Sequence, residues 1–148
     1  MDMKLEAVVV PVSDVDRAKQ FYKGLGWRED ADFLVDEGFR IVQMTPPGST
    51  CSIHFGIGLA PATPGGIGGV LLAVEDVEAA RAELLAHGAV VGEVFHDAGG
   101  GLAVRADPAT HAPGPDPERR SYASYATFAD PDGNTWVLQE LTTRLPGR

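Results

Sequence analysis

The stretch FADPDGNTWVLQE, residues 128–140, carries the clearest local pattern in the chain. Its centre, DPDGN, is a turn sequence because Asp and Asn side chains accept hydrogen bonds from nearby backbone and Gly tolerates positive φ. The flanking residues predict a strand on each side of this turn. The stretch therefore predicts a strand, a tight turn and a second strand near the end of the sequence.

An internal repeat lies upstream of this stretch. A shift of 62 residues places VLLAVEDVEAARAELLAHGAVV, which begins at Val70, on VVVPVSDVDRAKQFYKGLGW, which begins at Val8. Each segment contains an apolar strand, an Asp suited to capping a helix (Asp14 or Asp76), a helix of about ten residues and a terminating glycine. The shared order of cap, helix and glycine favours duplication over chance identity.

The remainder of each copy also corresponds. Placing Gly48 on Gly133 raises the offset to 85, so the second copy is longer by 23 residues, which fall in the Gly- and Pro-rich stretch 97–120. Each copy then predicts strand, helix, strand, strand, strand. The last three strands are FLVDEG, FRIVQMT and TCSIHFG in the first copy and VVGEVFHD, SYASYATFA and TWVLQEL in the second.

These boundaries predict one compact domain made of two modules. The first module covers residues 1–57, a linker rich in Gly and Pro covers 58–68, and the second module covers 69–141. The insertion 97–120 interrupts the second module, and residues 142–148 form a tail without periodicity.

Composition narrows the class of protein. The chain has 148 residues, 12 basic and 21 acidic, for a net charge of −9, which disfavours a nucleic acid partner. No apolar run approaches the roughly 20 residues that a membrane span requires. The start of the sequence lacks the features of a secretory signal, so we expect a cytoplasmic protein. The single cysteine, Cys51, cannot form an intramolecular disulfide.

Several features together resemble the vicinal oxygen chelate superfamily, which includes glyoxalase I, extradiol dioxygenases and bleomycin resistance proteins. These features are the two βαβββ copies, the Asp-capped first helix with Phe21 and Tyr22, the LGW after it, and the DPDGN turn before the last strand. The resemblance covers roughly residues 5–141. It implies an α+β fold in which two tandem βαβββ modules form curved mixed sheets around a cavity, and it implies a homodimer.

The resemblance also identifies the positions where metal-dependent members hold their ligands. One ligand lies on the first strand, seven residues before the capping Asp, and one lies on the last strand, four residues after the Gly of the turn. In this chain these positions hold Ala7, Gly69, Ser52 and Val137. Three of these have no side-chain donor and a lone hydroxyl is a weak ligand, so we predict no metal and no other cofactor.

Alternation along the strands predicts which side chains face the cavity. His54 and Gln139 occupy matching positions and form a candidate polar pair, in which His54 can act as a base or orient a ligand. A structural, hydrogen-bonded histidine is the alternative. Tyr122 and Tyr125 should face opposite sides, and we place Tyr122 in the cavity. The predicted ligand-binding residues are Ala7, Val9, Gln43, Ser52, His54, Gly69, Leu71, Tyr122, Val137 and Gln139.

The insertion is either a disordered loop or a flap across the cavity mouth, and we favour a partly ordered flap. A polar cluster near its end can anchor it: Asp116, Glu118, Arg119 and Arg120. His96 and His111, with Asp97 or Asp107, offer metal donors, but their irregular spacing argues against a metal site.

The predicted function is non-covalent binding of a small hydrophobic or aromatic molecule, as in the bleomycin resistance proteins that the chain resembles. The acidic balance is compatible with a cationic ligand. The alternative is a lyase, isomerase or dioxygenase of the same superfamily, either metal-free or with a divalent metal on relocated ligands. A third hypothesis is a structural or regulatory dimer that binds no small ligand. No catalytic residue is assigned.

Overall fold

The computed structural model describes residues 1–59, 62–102 and 104–147, and within these ranges the chain forms two compact units. The first unit comprises Met1–Gly68 and Ala129–Asn134, and the second comprises Gly69–Phe128 and Thr135–Arg148. Each unit has one mixed sheet, of four strands in the first and five in the second. The predicted α+β fold class is confirmed. No helix in the described ranges has the length and hydrophobicity of a membrane span.

The first unit has the predicted βαβββ order. Its elements are β1 (Ala7–Val9), α1 (Val15–Gly24), β2 (Arg28–Asp36), β3 (Phe39–Thr45) and β4 (Ser52–Ile57). The strands lie in the order β1-β4-β3-β2, with β1 parallel to β4 and the other pairs antiparallel. β2 is therefore an edge strand.

Helix α1 covers one face of this sheet. Asp14 caps it as predicted, because its side chain accepts a hydrogen bond from Arg17 N at 3.0 Å. The buried ring of Tyr22 on α1 lies 5.7 Å from the ring of Phe55 on β4. Since side chains alternate along a strand, Ser52 and His54 lie on the opposite face, which we call the far face of the first sheet.

The DPDGN turn is part of the first unit and is held there by buried hydrogen bonds. The Asn134 amide nitrogen donates to Pro11 O and to Asp130 Oδ2, both at 2.8 Å. Asn134 Oδ1 accepts from Ile67 N at 3.1 Å, and Asp130 Oδ2 also accepts from the Tyr22 hydroxyl at 2.9 Å. A turn that the sequence predicted as a local feature therefore has long-range partners.

The second unit repeats the βαβββ order and adds one strand. Its elements are β5 (Val70–Val74), α2 (Val77–Ala86), β6 (Phe95–Asp97), a 3-10 helix (Pro108–Thr110), β7 (His111–Pro113), β8 (Ser124–Ala129) and β9 (Thr135–Glu140). The strand order is β5-β9-β8-β6-β7, with β5 parallel to β9. The predicted strand at 90–97 is shorter in the structure, and only a single bridge, Val91 to Phe128, precedes β6.

The added strand β7 comes from the insertion. Asp107 caps the 3-10 helix, and the chain then pairs antiparallel with β6, with Asp97 opposite His111. A three-residue strand that contains Pro113 gives almost no signal in the sequence. It is tolerated because β7 lies at the edge of the sheet, where Pro leaves no internal ladder bond unmade.

Two arginine–carboxylate pairs hold the end of the insertion. The Arg119 guanidinium donates to the buried Glu140 carboxylate at 2.6 and 3.0 Å, and Glu140 also accepts from Val77 N at the start of α2. Arg120 donates to Asp116 at 2.7 Å. The Arg119 guanidinium lowers the pKa of Glu140 below its ordinary value, and burial opposes this shift only in part.

We expect Asn134→Ala to destabilise the protein by about 2–4 kcal/mol, because it leaves buried backbone groups and Asp130 without their partners. Chemical denaturation at neutral pH measures the loss. Thr135→Ala, at the adjacent exposed position, is the matched control and should cost less than about 0.5 kcal/mol. Equal losses in the two variants would contradict the assigned role of Asn134.

We expect Glu140→Gln to lower the free energy of unfolding at pH 7 by about 1.5 kcal/mol, because the charged hydrogen bonds from Arg119 to the buried carboxylate are lost, while Arg119 keeps the exposed Glu78 as a partner. The pKa of Glu140 is lower in the folded chain. Its contribution is therefore complete above the unfolded pKa of about 4.3 and is lost as pH falls through the folded pKa. Glu140→Gln should accordingly lose less stability on acidification than the parent. Glu83→Gln, at an exposed position on α2, should follow the parent at every pH.

Candidate functional site

A chain of hydrogen-bonded side chains crosses the far face of the first sheet. His54 Nε2 lies 3.2 Å from Gln43 Oε1, and Gln43 Nε2 donates to Ser52 Oγ at 3.2 Å. Ser52 Oγ in turn bonds the Thr45 hydroxyl at 2.7 Å, and that hydroxyl also bonds Asp30. The structure thus brings together three of the predicted site residues, Gln43, Ser52 and His54, and adds Thr45 and Asp30.

The register of the strands brings these hydrogen-bonded side chains together. Gln43 on β3 is directly opposite His54 on β4, and β1 places Ala7 beside Ser52 and Val9 beside His54. Because Gln43 presents its oxygen to His54, the Nε2 atom of His54 carries the proton and donates. Nε2 of His54 therefore donates a hydrogen bond to Gln43 and is not free to accept a proton. The hydrogen-bonded histidine considered from the sequence is the arrangement that the structure has.

The residues at the four positions where the resemblance implies metal ligands offer few donor atoms to a divalent cation. Ala7 has no donor atom, and the Ser52 hydroxyl beside it is already bonded to Gln43 and Thr45. In the second unit Val137 pairs with Leu71, two residues beyond Gly69, which lies before β5 at φ +70°. Across the described ranges, no group of three His, Cys, Asp or Glu side chains is arranged to hold a metal ion.

The direction of the Glu140 side chain shows which face of the second sheet is turned towards α2. We call the opposite face the far face of the second sheet. Because Glu140 reaches the start of α2, Val137 and Gln139 point to the opposite face, together with Leu71. Leu71 is 48% exposed, whereas Val137 is 6% exposed. The Gln139 amide donates to Tyr122 O at 3.1 Å. The predicted pair of His54 and Gln139 therefore has separate partners, one in each unit.

The two tyrosines have different positions from those that alternation implied. Tyr122 lies in the turn before β8 at φ 73°, and its hydroxyl accepts from Leu145 N at 3.0 Å. Tyr125 lies within β8 opposite Phe95 and is fully buried on the far face. Burial raises the pKa of Tyr125, so its phenol is neutral at pH 7. Tyr125 was not among the predicted ligand-binding residues, because the predicted strand began at Ser121 and so included Tyr122, which lies outside β8.

The histidines of the insertion do not converge. His96 and Asp97 are adjacent on β6 and so face opposite sides. His96 Nδ1 is 2.8 Å from Gly114 O, and His111 Nε2 is 2.7 Å from Arg105 O. Each ring nitrogen that meets a carbonyl oxygen carries a proton and is not available to a metal.

A small cleft of about 60 Å³ lies in the first unit. Its lining residues are Val9, Val10, Pro11, Val12, Gly56, Gly58, Leu59 and Ala62. Ligand pockets for drug-sized molecules have volumes of about 300–1,000 Å³. This cleft alone is too small for an aromatic antibiotic, although Val9 connects it to the far face.

Comparison with known proteins identifies the family. TnmS3, an antibiotic binding protein from Streptomyces sp. CB03234, is 28% identical, with a TM-score of 0.68 over 95% of this chain and 97% of that chain. A superfamily member from Sphaerobacter thermophilus is 26% identical, with a TM-score of 0.65 over 94% of this chain and 98% of that chain. No curated protein sequence matches significantly. A sequence model matches residues 4–138, and the chain belongs to the Glyoxalase/Bleomycin resistance protein/Dioxygenase superfamily.

Proposed function

We propose that this protein binds a small hydrophobic or aromatic molecule non-covalently and without a metal ion. The observation that carries the proposal is the chemistry of the paired strand positions, Ala7 with Ser52 and Leu71 with Val137. The superfamily's electrophilic reactions need a metal, and these positions offer almost no donor atoms. Binding needs only shape, apolar lining and a few oriented polar groups.

The far faces of the two sheets each offer such a surface. In the first unit, Ala7 and Val9 lie beside a polar chain whose members are already hydrogen bonded, so their orientation is fixed. In the second unit, Leu71 is half-exposed beside Val137 and Gln139. The likeness to TnmS3, an antibiotic binding protein, supports small-molecule binding by this chain.

A homodimer in the cytoplasm is part of the proposal. The edge strand β2 carries three consecutive exposed apolar side chains, Phe33, Leu34 and Val35. An exposed apolar edge strand is an aggregation hazard unless something covers it. A second copy of the chain supplies a cover of defined geometry. The single cysteine, which gives no intrachain disulfide, is consistent with a reducing compartment.

We expect protein purified without a histidine tag to bind at least one member of a panel of aromatic antibiotics that includes bleomycin. Thermal shift identifies the compound and calorimetry gives its Kd. Because the paired strand positions lack donors, treatment with EDTA should leave the Kd unchanged, and the metal content should be below about 0.1 equivalent. Stoichiometric metal that survives dialysis, or binding that EDTA abolishes, would contradict the proposal.

A matched pair of variants locates the site of that binding. Leu71→Trp places a large side chain at a half-exposed position of the far face, so affinity should fall about tenfold with little change in Tm. Leu85→Trp, at a similarly exposed position on α2, should bind as the parent does. Val137 is too buried for this test, because overpacking there typically costs about 1–3 kcal/mol. Equal affinities for both tryptophan variants would remove the far face from the proposal.

We expect light scattering at micromolar concentration to give a mass near twice 15.6 kDa. Leu34→Lys places a charge on the exposed edge strand and should shift the mass towards the monomer. Val90→Lys, at an exposed position in the second unit, should leave the dimer intact. A monomeric parent protein would refute the dimer proposal, and a dimer that tolerates Leu34→Lys would remove β2 from the interface.

A further inference from the structure

The second unit contains two buried polar atoms without a hydrogen-bond partner among the described residues. These atoms are Asp97 Oδ1 and the Tyr125 hydroxyl oxygen. Asp97 is 5% exposed and Tyr125 is 0% exposed. Buried polar groups are satisfied in the great majority of cases, because an unmet one costs about 1–3 kcal/mol. Each of these atoms can accept a hydrogen bond from a water molecule or from a ligand.

The two atoms belong to one face of the sheet. Phe95 on β6 is opposite Tyr125 on β8, and alternation places Asp97 on the same face as Phe95. Asp97 and Tyr125 are therefore diagonal neighbours on adjacent strands, a relation that separates Cβ atoms by about 7 Å. One small group can reach both side chains from that distance.

The Asp97 carboxylate is half satisfied. Its Oδ2 accepts from Gly101 N at 2.7 Å, and this bond lowers the pKa of Asp97, while burial opposes the shift. Arg105 Nε lies 4.0 Å from Oδ1, beyond hydrogen-bond distance, and the Arg105 side chain is mostly exposed. Asp97 therefore carries a negative charge at pH 7 with one oxygen open to a donor.

Three aromatic rings lie on the same face of the sheet as Asp97. The Phe95 ring lies 5.5 Å from the Tyr125 ring and stacks on His111 with a centroid distance of 3.9 Å. The neutral Tyr125 phenol both donates and accepts. A hydrogen-bonding interaction with the Gln139 side chain lowers the pKa of Tyr125 against the larger effect of burial. The contact falls short of hydrogen-bond geometry at the hydroxyl, because the Gln139 amide donates to Tyr122 O.

We propose that Asp97 and Tyr125 form a subsite for the protonated amine of an aromatic ligand. The amine donates hydrogen bonds to Asp97 Oδ1 and to the phenol oxygen of Tyr125, and the aromatic ring of the ligand packs against Phe95. This proposal rests on the proposed function and specifies its ligand class. A cationic donor suits the subsite better than a hydroxyl because it neutralises a buried carboxylate as well as hydrogen bonding to it. Neighbouring ring faces also attract a cation.

Three probes with the same apolar body test the subsite: 2-phenylethylamine, 2-phenylethanol and ethylbenzene. Calorimetry on the full-length protein at pH 7.5 should give a Kd for the amine at least about tenfold lower than for the alcohol or the hydrocarbon. Asp97→Asn should remove this preference. Glu118→Gln also removes one acidic charge from the insertion, but at an exposed position, and should keep the preference.

Tyr125→Phe provides a second test that does not depend on the folding of Asp97→Asn. It should weaken binding of the amine several-fold and leave Tm unchanged or higher, because it removes a buried hydroxyl that makes no hydrogen bond of good geometry among the described residues. A lower Tm together with unchanged amine binding would identify the hydroxyl as structural and overturn the subsite.

The outcomes separate this inference from the proposed function. If the three probes bind with equal affinity, or if Asp97→Asn retains the preference for the amine, the subsite is overturned and a water molecule completes the two atoms instead. Aromatic binding itself then survives. If neither the probes nor the antibiotic panel binds, the proposed function fails, and the subsite fails with it.

Discussion

The first unit depends on one buried polar cluster in which Asp130 accepts hydrogen bonds from Tyr22 and Asn134. The Asn134 side chain also donates to the carbonyl of Pro11 and accepts from the backbone amide of Ile67. The bonds to Tyr22 and Pro11 span 108 and 123 positions of sequence. The turn between β8 and β9 therefore belongs to the first unit, although most of both strands belongs to the second. A buried carboxylate and amide are tolerated here because each has several partners.

The sequence predicted those features that depend on local physics. An Asp cap, a ten-residue helix and a terminating glycine occur in both copies, and both helices begin after Asp14 and Asp76 as expected. The added strand β7 could not be predicted in this way. It is held by pairing with β6 and by the arginine–carboxylate bonds at the end of the insertion, which are contacts between residues far apart in the pattern.

The site was predicted in part for the same reason. Alternation placed Ser52 and His54 on one face, but the chain of hydrogen bonds through Gln43 depends on the register between β3 and β4, which the hairpin sets. In the second unit, alternation failed at Tyr122 because a residue in left-handed backbone precedes β8. With the strand beginning at Ser124, as it does in the structure, the same rule places Tyr125 on the far face in place of Tyr122.

The far faces of the two sheets both carry polar side chains whose orientation is fixed by hydrogen bonds. On the first far face, polar side chains hold one another by hydrogen bonds, as Thr45 and Gln43 hold Ser52. The insertion contributes the buried Asp97 carboxylate to the second far face, where Gly101 N fixes one of its oxygens, and a side chain at position 101 would clash with that oxygen. A glycine in the loop is thus a condition for the carboxylate's orientation. The proposed binding function would use these oriented donors and acceptors to select its ligand.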